Sequence, residues 1–179
     1  MKTLKTLAAA SLMCLPYAAA TAAEPMKPSG VMEAMMSNDQ KDFFETAASA
    51  NLFEIEAGKL AQTKATDPAL QTFGAQMVKD HTEASAKLAA LASTKSVPLP
   101  TAMLKRHQSM YDALAKDKAG KDFDEDFRNK MVMSHKEAVS LFDQTAQKAK
   151  DPEVKAFAAM MLPKLQMHGS AAMELNEGH

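Results

Sequence analysis

Four ionisable side chains interrupt the apolar stripes of four predicted helices: Glu54, His81, His135 and His168. Burying a polar group without a partner costs roughly 2–7 kcal/mol, so their placement favours a shared ligand or a mutual network. Four-helix bundles build metal and cofactor sites from carboxylates and imidazoles that project inward from facing helices. Three imidazoles and one carboxylate suit a single Zn, Fe, Mn or Cu ion. We therefore predict a metal site with these four residues as ligands.

The spacing of these residues from two Asp-Pro turns places them at one level of a bundle. Glu54 and His81 lie 13 residues before and 14 after Asp67, and the other two lie 16 before and 17 after Asp151. At a rise of about 1.5 Å per residue, the two pairs stand roughly 20 Å and 25 Å from their own turns. If the turns lie at opposite ends of a bundle about 40 Å long, both pairs reach its middle.

Two acidic residues are supporting candidates for the same site. Glu56 lies two residues beyond the predicted carboxylate ligand, about 200° around the helix, and is either solvated or a second carboxylate ligand. Asp80 directly precedes His81 and is placed to orient an imidazole of a neighbouring helix from outside the ligand set. The two remaining histidines, His107 and His179, are predicted to lie on the surface.

Methionine is abundant, with 15 residues in the chain. Met77 and Met131 each precede a stripe histidine by four residues, so that sulfur and imidazole share a helix face. Thioether beside imidazole suits Cu(I), whereas methionine is also a common filler of irregular helical cores. The sequence leaves both interpretations open.

Two other functions compete with metal binding. The polar residues could satisfy one another as a metal-free layer that fixes helix register in a structural or interaction module. Alternatively, the bundle could bind a small apolar ligand between its helices. The sequence contains no arrangement of a serine or cysteine nucleophile, no phosphate-binding loop and no acid pair at a clear catalytic spacing. It therefore assigns no reaction and does not decide whether the protein is an enzyme.

The elements that must position these residues are predicted to be helical throughout. Apolar stripes bounded by proline, glycine and capping residues predict helices over about 38–64, 68–94, 101–117, 122–150 and 152–176. The segment Asp67–Phe73 resembles Asp151–Phe157 at an offset of 84 residues, which indicates two similar hairpins. A crossover of about 25 residues with its own short helix joins them, as in ferritin-like bundles. We predict an all-α, ferritin-like four-helix bundle.

The two ends of the chain bound the domain and indicate its compartment. Residues 1–23 have the basic, apolar and small-residue parts of a cleaved secretory signal, residues 24–37 read as a flexible leader, and 38–177 form the domain. The single cysteine, Cys14, lies in the signal, which excludes disulfides and thiolate metal sites from the mature chain. No later segment is apolar enough to span a bilayer. We expect an exported periplasmic or cell-envelope protein without a transmembrane segment.

The charge of the chain excludes one class of partner. Without the predicted signal, 19 basic and 22 acidic residues give a formal charge of −3. A nucleic-acid-binding protein would carry a strongly basic stripe, which this sequence lacks. We expect no nucleic-acid partner, and the sequence does not predict the oligomeric state.

Four segments carry a resemblance to a known family: Glu54–Ala61, Met77–His81, Met131–His135 and Leu162–His168. Together they resemble the bacterial domain-of-unknown-function 4142 family over about 39–176. The resemblance implies a ferritin-like, exported protein, and it implies no activity because the family has none agreed. Ferroxidase sites carry Glu-x-x-His on two helices, whereas Val78 and Leu165 stand three residues before two of the histidines here. A di-iron oxidase centre is therefore not expected.

Overall fold

Five helices make up the part of the chain that the structure, a computed structural model, describes: residues 38–178. They are α1 (Asn38–Lys64), α2 (Pro68–Thr94), α3 (Lys105–Lys116), α4 (Lys121–Lys148) and α5 (Pro152–Glu177). No strand occurs within residues 38–178, and the predicted all-α class is confirmed. None of these helices combines the length and apolarity needed to cross a membrane. The predicted signal 1–23, the leader 24–37 and His179 lie outside the described residues.

The second helix of each hairpin begins with the same cap. Asp67 accepts a hydrogen bond from the backbone N–H of Ala69 (2.8 Å), and Asp151 accepts from Glu153 (2.9 Å) and Val154 (3.2 Å). Proline follows each aspartate at the first helical position, where its missing N–H is not needed. Each carboxylate also interacts favourably with the positive end of the helix dipole. The repeat in the sequence is therefore a repeated helix start.

The two hairpin turns lie at opposite ends of the bundle. Thr66, in the first turn, donates its backbone N–H (3.0 Å) and its hydroxyl (2.6 Å) to Asp124 near the start of α4. Lys95, just beyond α2, pairs with Asp151 in the second turn at 2.8 Å. Since α2 ends at the second turn and α4 begins at the first, the crossover runs the length of the bundle. The predicted ferritin-like connectivity is confirmed.

The short helix α3, which lies within the crossover, packs against α1 and α4. Lys64, the last residue of α1, donates from its ammonium to three carbonyl oxygens at the end of α3, those of Leu114 (3.3 Å), Ala115 (2.7 Å) and Asp117 (2.8 Å). The last carbonyls of a helix have no intrahelical donor, and a cation there also interacts favourably with the dipole. One lysine thus joins the end of α1 to the end of the crossover helix.

Helices α1 and α2 approach each other too closely for side chains to separate them. A Cβ atom on Gly58 would lie 2.5 Å from the carbonyl oxygen of Gly74. A Cβ atom on Gly74 would lie 2.8 Å from the carbonyl oxygen of Gly58 and 2.8 Å from Ala61 Cβ. Because the opposing atoms belong largely to the backbone, neither helix can yield by a simple side-chain rotation. Glycine at these two positions therefore sets the separation of the first hairpin.

A polar layer divides the apolar core into two clusters. The aromatic members of the first are Phe43, Phe44, Phe142 and Phe157, and those of the second are Phe53, Phe73, Phe123 and Phe127. On α2, His81 lies between Met77 of the second cluster and Ala84 of the first. His135 and His168 are bracketed in the same way on α4 and α5. The three histidines thus occupy one level between the clusters.

Candidate metal centre

Three imidazole rings from three helices meet at this level. His81 lies on α2, His135 on α4 and His168 on α5, and all three are buried. Their ring centroids form a nearly equilateral triangle with sides of 5.6, 5.6 and 5.7 Å. The structure therefore brings together three of the four residues predicted as ligands, and we call them the histidine triangle.

Two of the rings are oriented by neutral acceptors. Nδ1 of His81 donates to the side-chain oxygen of Asn51 on α1 at 2.9 Å. Nδ1 of His135 donates to the backbone carbonyl of Met131, one turn earlier on the same helix, also at 2.9 Å. In a neutral imidazole, a proton held on one nitrogen leaves the lone pair on the other. Both rings thus keep Nε2 as a potential ligand atom.

The third ring is oriented by a charged acceptor. Nε2 of His168 donates to Oδ2 of Asp80 at 2.9 Å, and the same carboxylate accepts from Lys164 at 2.8 Å and from Gln76 at 2.6 Å. Burial acts to raise the pKa of Asp80, but the hydrogen bonds from Lys164, Gln76 and His168 outweigh it and hold that pKa well below its usual range. Asp80 is therefore ionised, and it lies against an imidazole of a neighbouring helix.

The second nitrogen of each ring has no hydrogen-bond partner among residues 38–178. These atoms are Nε2 of His81, Nε2 of His135 and Nδ1 of His168. One nitrogen from each ring can be chosen so that all three lie within 4.8 Å of one another. Buried polar atoms in proteins are nearly always satisfied. Three buried ring nitrogens without a partner, on rings this close together, are candidates for binding one shared cation.

The histidine triangle has the size that a metal ion requires. With metal–nitrogen bonds of about 2.0–2.1 Å, a flat three-coordinate ion places the ring centroids roughly 5.5 Å apart. The observed sides of 5.6, 5.6 and 5.7 Å are close to that value. The spacing of the three rings is therefore compatible with one shared ion.

Burial keeps two rings of the histidine triangle, those of His81 and His168, neutral. It lowers the pKa of His81 well below the ordinary value, and the neighbouring His135 and His168 lower it further, against the attraction of Asp80. Burial also lowers the pKa of His168, while the hydrogen bond to Asp80 acts in the opposite direction. Neutral imidazole is the form that binds metal ions. These two rings are therefore in their ligating form at neutral pH.

Glu54 lies beside the triangle rather than within it. Its Oε1 atom is 3.7 Å from Nδ1 of His135, the nitrogen that already donates to Met131. The carboxylate is buried, and neither of its oxygens has a hydrogen-bond partner in the described part of the chain. Burial raises the pKa of Glu54, and the nearby side chains of His135 and Ser134 act in the opposite direction. This buried carboxyl lies next to the histidine triangle, and it would add negative charge there when ionised.

The remaining sequence candidates lie outside the triangle. The side chain of Glu56 is partly exposed and pairs with Lys59 at 2.7 Å, so the structure does not bring it to the cluster. Met77 and Met131 are buried members of the second core cluster. Their positions agree with the packing interpretation of these methionines.

The prediction that His107 lies on the surface is wrong. The side chain is buried, stacks on Phe53 at a centroid distance of 6.1 Å and forms a hydrogen bond with Ser49 through Nδ1 at 2.6 Å. Its Nε2 atom lies 3.7 Å from a carboxylate oxygen of Glu137 on α4. The sequence did contain a signal, because His107 and the buried Leu114 are seven residues apart and share one face of α3.

Two residues that support the histidine triangle were not predicted, namely Asn51 and Lys164. Asn51 lies three residues before Glu54, on the same face of α1, so its inward direction could have been inferred from helical spacing. Lys164 lies four residues before His168, but its contact with Asp80 depends on how α2 and α5 pack. Helical periodicity alone carries no information about that contact.

Comparisons with known proteins show a similar fold in a solved structure and identify the family of this chain. The solved structure "CopM in the Cu(II)-bound form" is similar to this chain, with a TM-score of 0.64 and 19% sequence identity, covering 80% of this chain and 99% of that one. At that identity the likeness concerns the fold alone. A search of the curated proteins gives no significant match. The family model described as a domain of unknown function, DUF4142, matches residues 25–175, and the chain therefore belongs to the DUF4142 family.

Proposed function

We propose that this protein is an exported metal-handling helical bundle in which His81, His135 and His168 bind one transition-metal ion. The observation that carries the proposal is the meeting of three buried imidazole rings, each of which has one nitrogen without a partner among the described residues. Each ring is also held by an outer acceptor, the arrangement that orients histidine ligands in metal sites. A layer that served stability alone would be as stable or more stable with apolar residues.

Copper and zinc are the ions that this donor set favours. Imidazole suits Zn, Cu, Fe and Ni, whereas Mn is bound preferentially by oxygen ligands. The similarity in fold to CopM, which was solved in a Cu(II)-bound form, supports copper. Three imidazoles leave a fourth position for tetrahedral coordination. Glu54, 3.7 Å from His135, is the nearby carboxyl that could move into that position or balance the charge of the ion from beside it.

The burial of the site favours sequestration or delivery of a metal over turnover of a substrate. All three rings and Glu54 are almost fully shielded from solvent, so a bound ion has little open surface for an exchanging ligand. The predicted signal over residues 1–23 supports a role in the periplasm or cell envelope. Protection of the envelope against excess metal is the process that such a protein would serve.

Metal titration of the purified full-length chain tests this function. We expect the wild type to bind one equivalent of Cu or Zn and to gain thermal stability. The H81A and H135A variants should lose affinity by at least about 100-fold, since each removes a direct ligand. His107→Gln is the matched control because it alters a buried histidine outside the triangle, and it should bind as the wild type does. A wild type that neither binds nor is stabilised by Cu(I), Cu(II) or Zn(II) would overturn the proposal and favour the metal-free polar layer.

A further inference from the structure

A polar chain leads from the histidine triangle to the surface between α2 and α5. His168 bonds to Asp80, and Asp80 bonds to Lys164. The side chain of Asp80 is 3% exposed, whereas that of Lys164 is 42% exposed. Lys164 is therefore the outermost member of the chain, and its ammonium binds Oδ1 of Asp80 at 2.8 Å.

Two exposed methionines bracket Lys164 on α5. Met160 lies four residues before it and Met167 lies three residues after it, so that the three side chains share one helix face. Met160 is 58% exposed and Met167 is 57% exposed. Unlike the buried methionines of the core, these two thioethers are not explained by packing. They stand on either side of the point where the polar chain reaches solvent.

We propose that Met160 and Met167 form an outer docking site for a soft monovalent ion, Cu(I) or its analogue Ag(I), which loads the histidine triangle past Lys164 and Asp80. This inference rests on the proposed metal-binding function. Thioether sulfur selects Cu(I) among the biological metal ions. The two Cα atoms lie about 10 Å apart along the helix, a span that two flexible methionine side chains can close over the lysine between them.

The passage past Asp80 is an exchange of one cation for another. As the ion reaches the carboxylate, the ammonium of Lys164 leaves it and turns to solvent, to which it is already partly exposed. Asp80 therefore keeps a positive partner throughout the exchange, which avoids the cost of a buried, unpaired carboxylate. Nothing in this step requires a covalent change or an electron transfer.

A surface groove on the other side of α5 lacks this connection. A groove of about 530 Å³ between α4 and α5 is lined by His135, Gly169 and Met173. The bonded nitrogen of His135 donates to the backbone of Met131, so within the described chain no acidic side chain links this groove to a ring nitrogen by a hydrogen bond. Met173 and the exposed Met133 are therefore suitable controls for Met160 and Met167.

Transfer kinetics on the full-length protein test the proposal. Cu(I) is supplied anaerobically as its coloured bicinchoninate complex, and Zn(II) is supplied from a dye complex. We expect the M160L/M167L variant to take up Cu(I) at least about ten-fold more slowly than the wild type, with unchanged final occupancy and an unchanged Zn(II) rate. The M133L/M173L variant, which removes methionines of 60% and 39% exposure elsewhere, should match the wild type. Lys164→Gln should load both ions faster.

The outcomes separate this inference from the function on which it rests. Equal Cu(I) rates in the two double variants would overturn the docking site, and no acceleration in Lys164→Gln would overturn the passage past Asp80. Either result is compatible with full metal binding at equilibrium by the wild type. A wild type that takes no metal at equilibrium would overturn the proposed function together with this inference.

Discussion

The two helical hairpins share a turn and a repeat but contribute different groups to the histidine triangle. At the offset of 84 residues, Asn51 of the first hairpin corresponds to His135 of the second, and Asp80 corresponds to Lys164. The first hairpin supplies one ring and the side-chain acceptors that orient two rings. The second supplies two rings and Lys164, whose ammonium forms an ion pair with Asp80. Corresponding positions of the repeat thus supply a ring in one hairpin and an acceptor that orients a ring in the other.

One pair of corresponding positions, Asp80 and Lys164, meets where α2 packs against α5. Here the pair is an ion pair at 2.8 Å, which no repeat of identical residues could form. Like charges at that separation would repel each other. Divergence at this position therefore joins the hairpins and fixes His168 at the same time.

Packing within the hairpins also differs. The first hairpin closes through Gly58 and Gly74, whereas the counterparts in the second are Phe142 and Ala158, both buried. Side chains thus fill the interface of the second hairpin where backbone meets backbone in the first. The open groove beside His135 lies in the second hairpin. We infer that the first hairpin is the more rigid support and the second the more adaptable partner.

The largest effect should come from closing the space between α1 and α2. Gly58→Ala would place a methyl group 2.5 Å from the carbonyl oxygen of Gly74. We expect a loss of about 3 kcal/mol in the free energy of unfolding, because overpacking against backbone outweighs the gain of about 1 kcal/mol in helix propensity. Chemical denaturation measures the loss. Ala158→Gly is the reverse change in the second hairpin and should cost about 2 kcal/mol, because it loses both helix propensity and a buried methyl group. A Gly58→Ala variant as stable as the wild type would contradict the close approach of the two backbones in the first hairpin.

A smaller effect should distinguish the charged acceptor, Asp80, from the neutral acceptor, Asn51, in how much each raises the metal affinity. Asp80→Asn keeps the shape of the acceptor for His168 but removes its charge and its ion pair with Lys164. We expect metal affinity to fall about 100-fold, near the upper end for an outer hydrogen-bond partner. Asn51→Ala removes the neutral acceptor of His81 and should cost about ten-fold. Competition with a metal dye gives both affinities, and an equal loss in the two variants would show that charge on the support has no effect.

The sequence predicted the fold more fully than the site because the two depend on different information. Helix bounds follow from local signals such as the Asp-Pro starts at Asp67 and Asp151, and the structure reproduces them within a few residues. The level of the three histidines follows from helical rise and from the two turns lying at opposite ends. Those two quantities were readable from spacing alone, and they were enough to bring the three rings together.

The details of the site depended on contacts that spacing does not encode. Glu54 shares the level of the rings, yet its carboxylate lies behind His135, because rotation about the helix axis sets which side of a ring it meets. Lys164 reaches Asp80 only through the packing of α2 against α5. His107 was misplaced because a short crossover helix offers too few turns for its apolar face to be distinguished from a solvated one.

The smallest effect concerns the contact that links the two hairpins through the crossover. His107 hydrogen-bonds Ser49 on α1 and faces Glu137 on α4, and Arg106 on its own helix pairs with the same carboxylate. Burial lowers the pKa of His107 in the folded protein, with Glu137 opposing and Arg106 adding to the shift. The unfolded chain therefore binds the proton first as the pH falls below about 6.5, and the folded state loses stability on acidification.

The variant His107→Gln removes this titration while keeping a polar group beside Ser49. Between pH 7.5 and 5.5, it should lose up to about 1 kcal/mol less stability than the wild type, as measured by denaturation with a chelator present. The acid sensitivity that His81 and His168 confer remains in both proteins, since burial lowers the pKa of each. An equal loss in the two proteins would mean that His107 binds its proton equally well in the folded and unfolded chains. In that case the contribution of His107 to the free energy of unfolding would not change with pH.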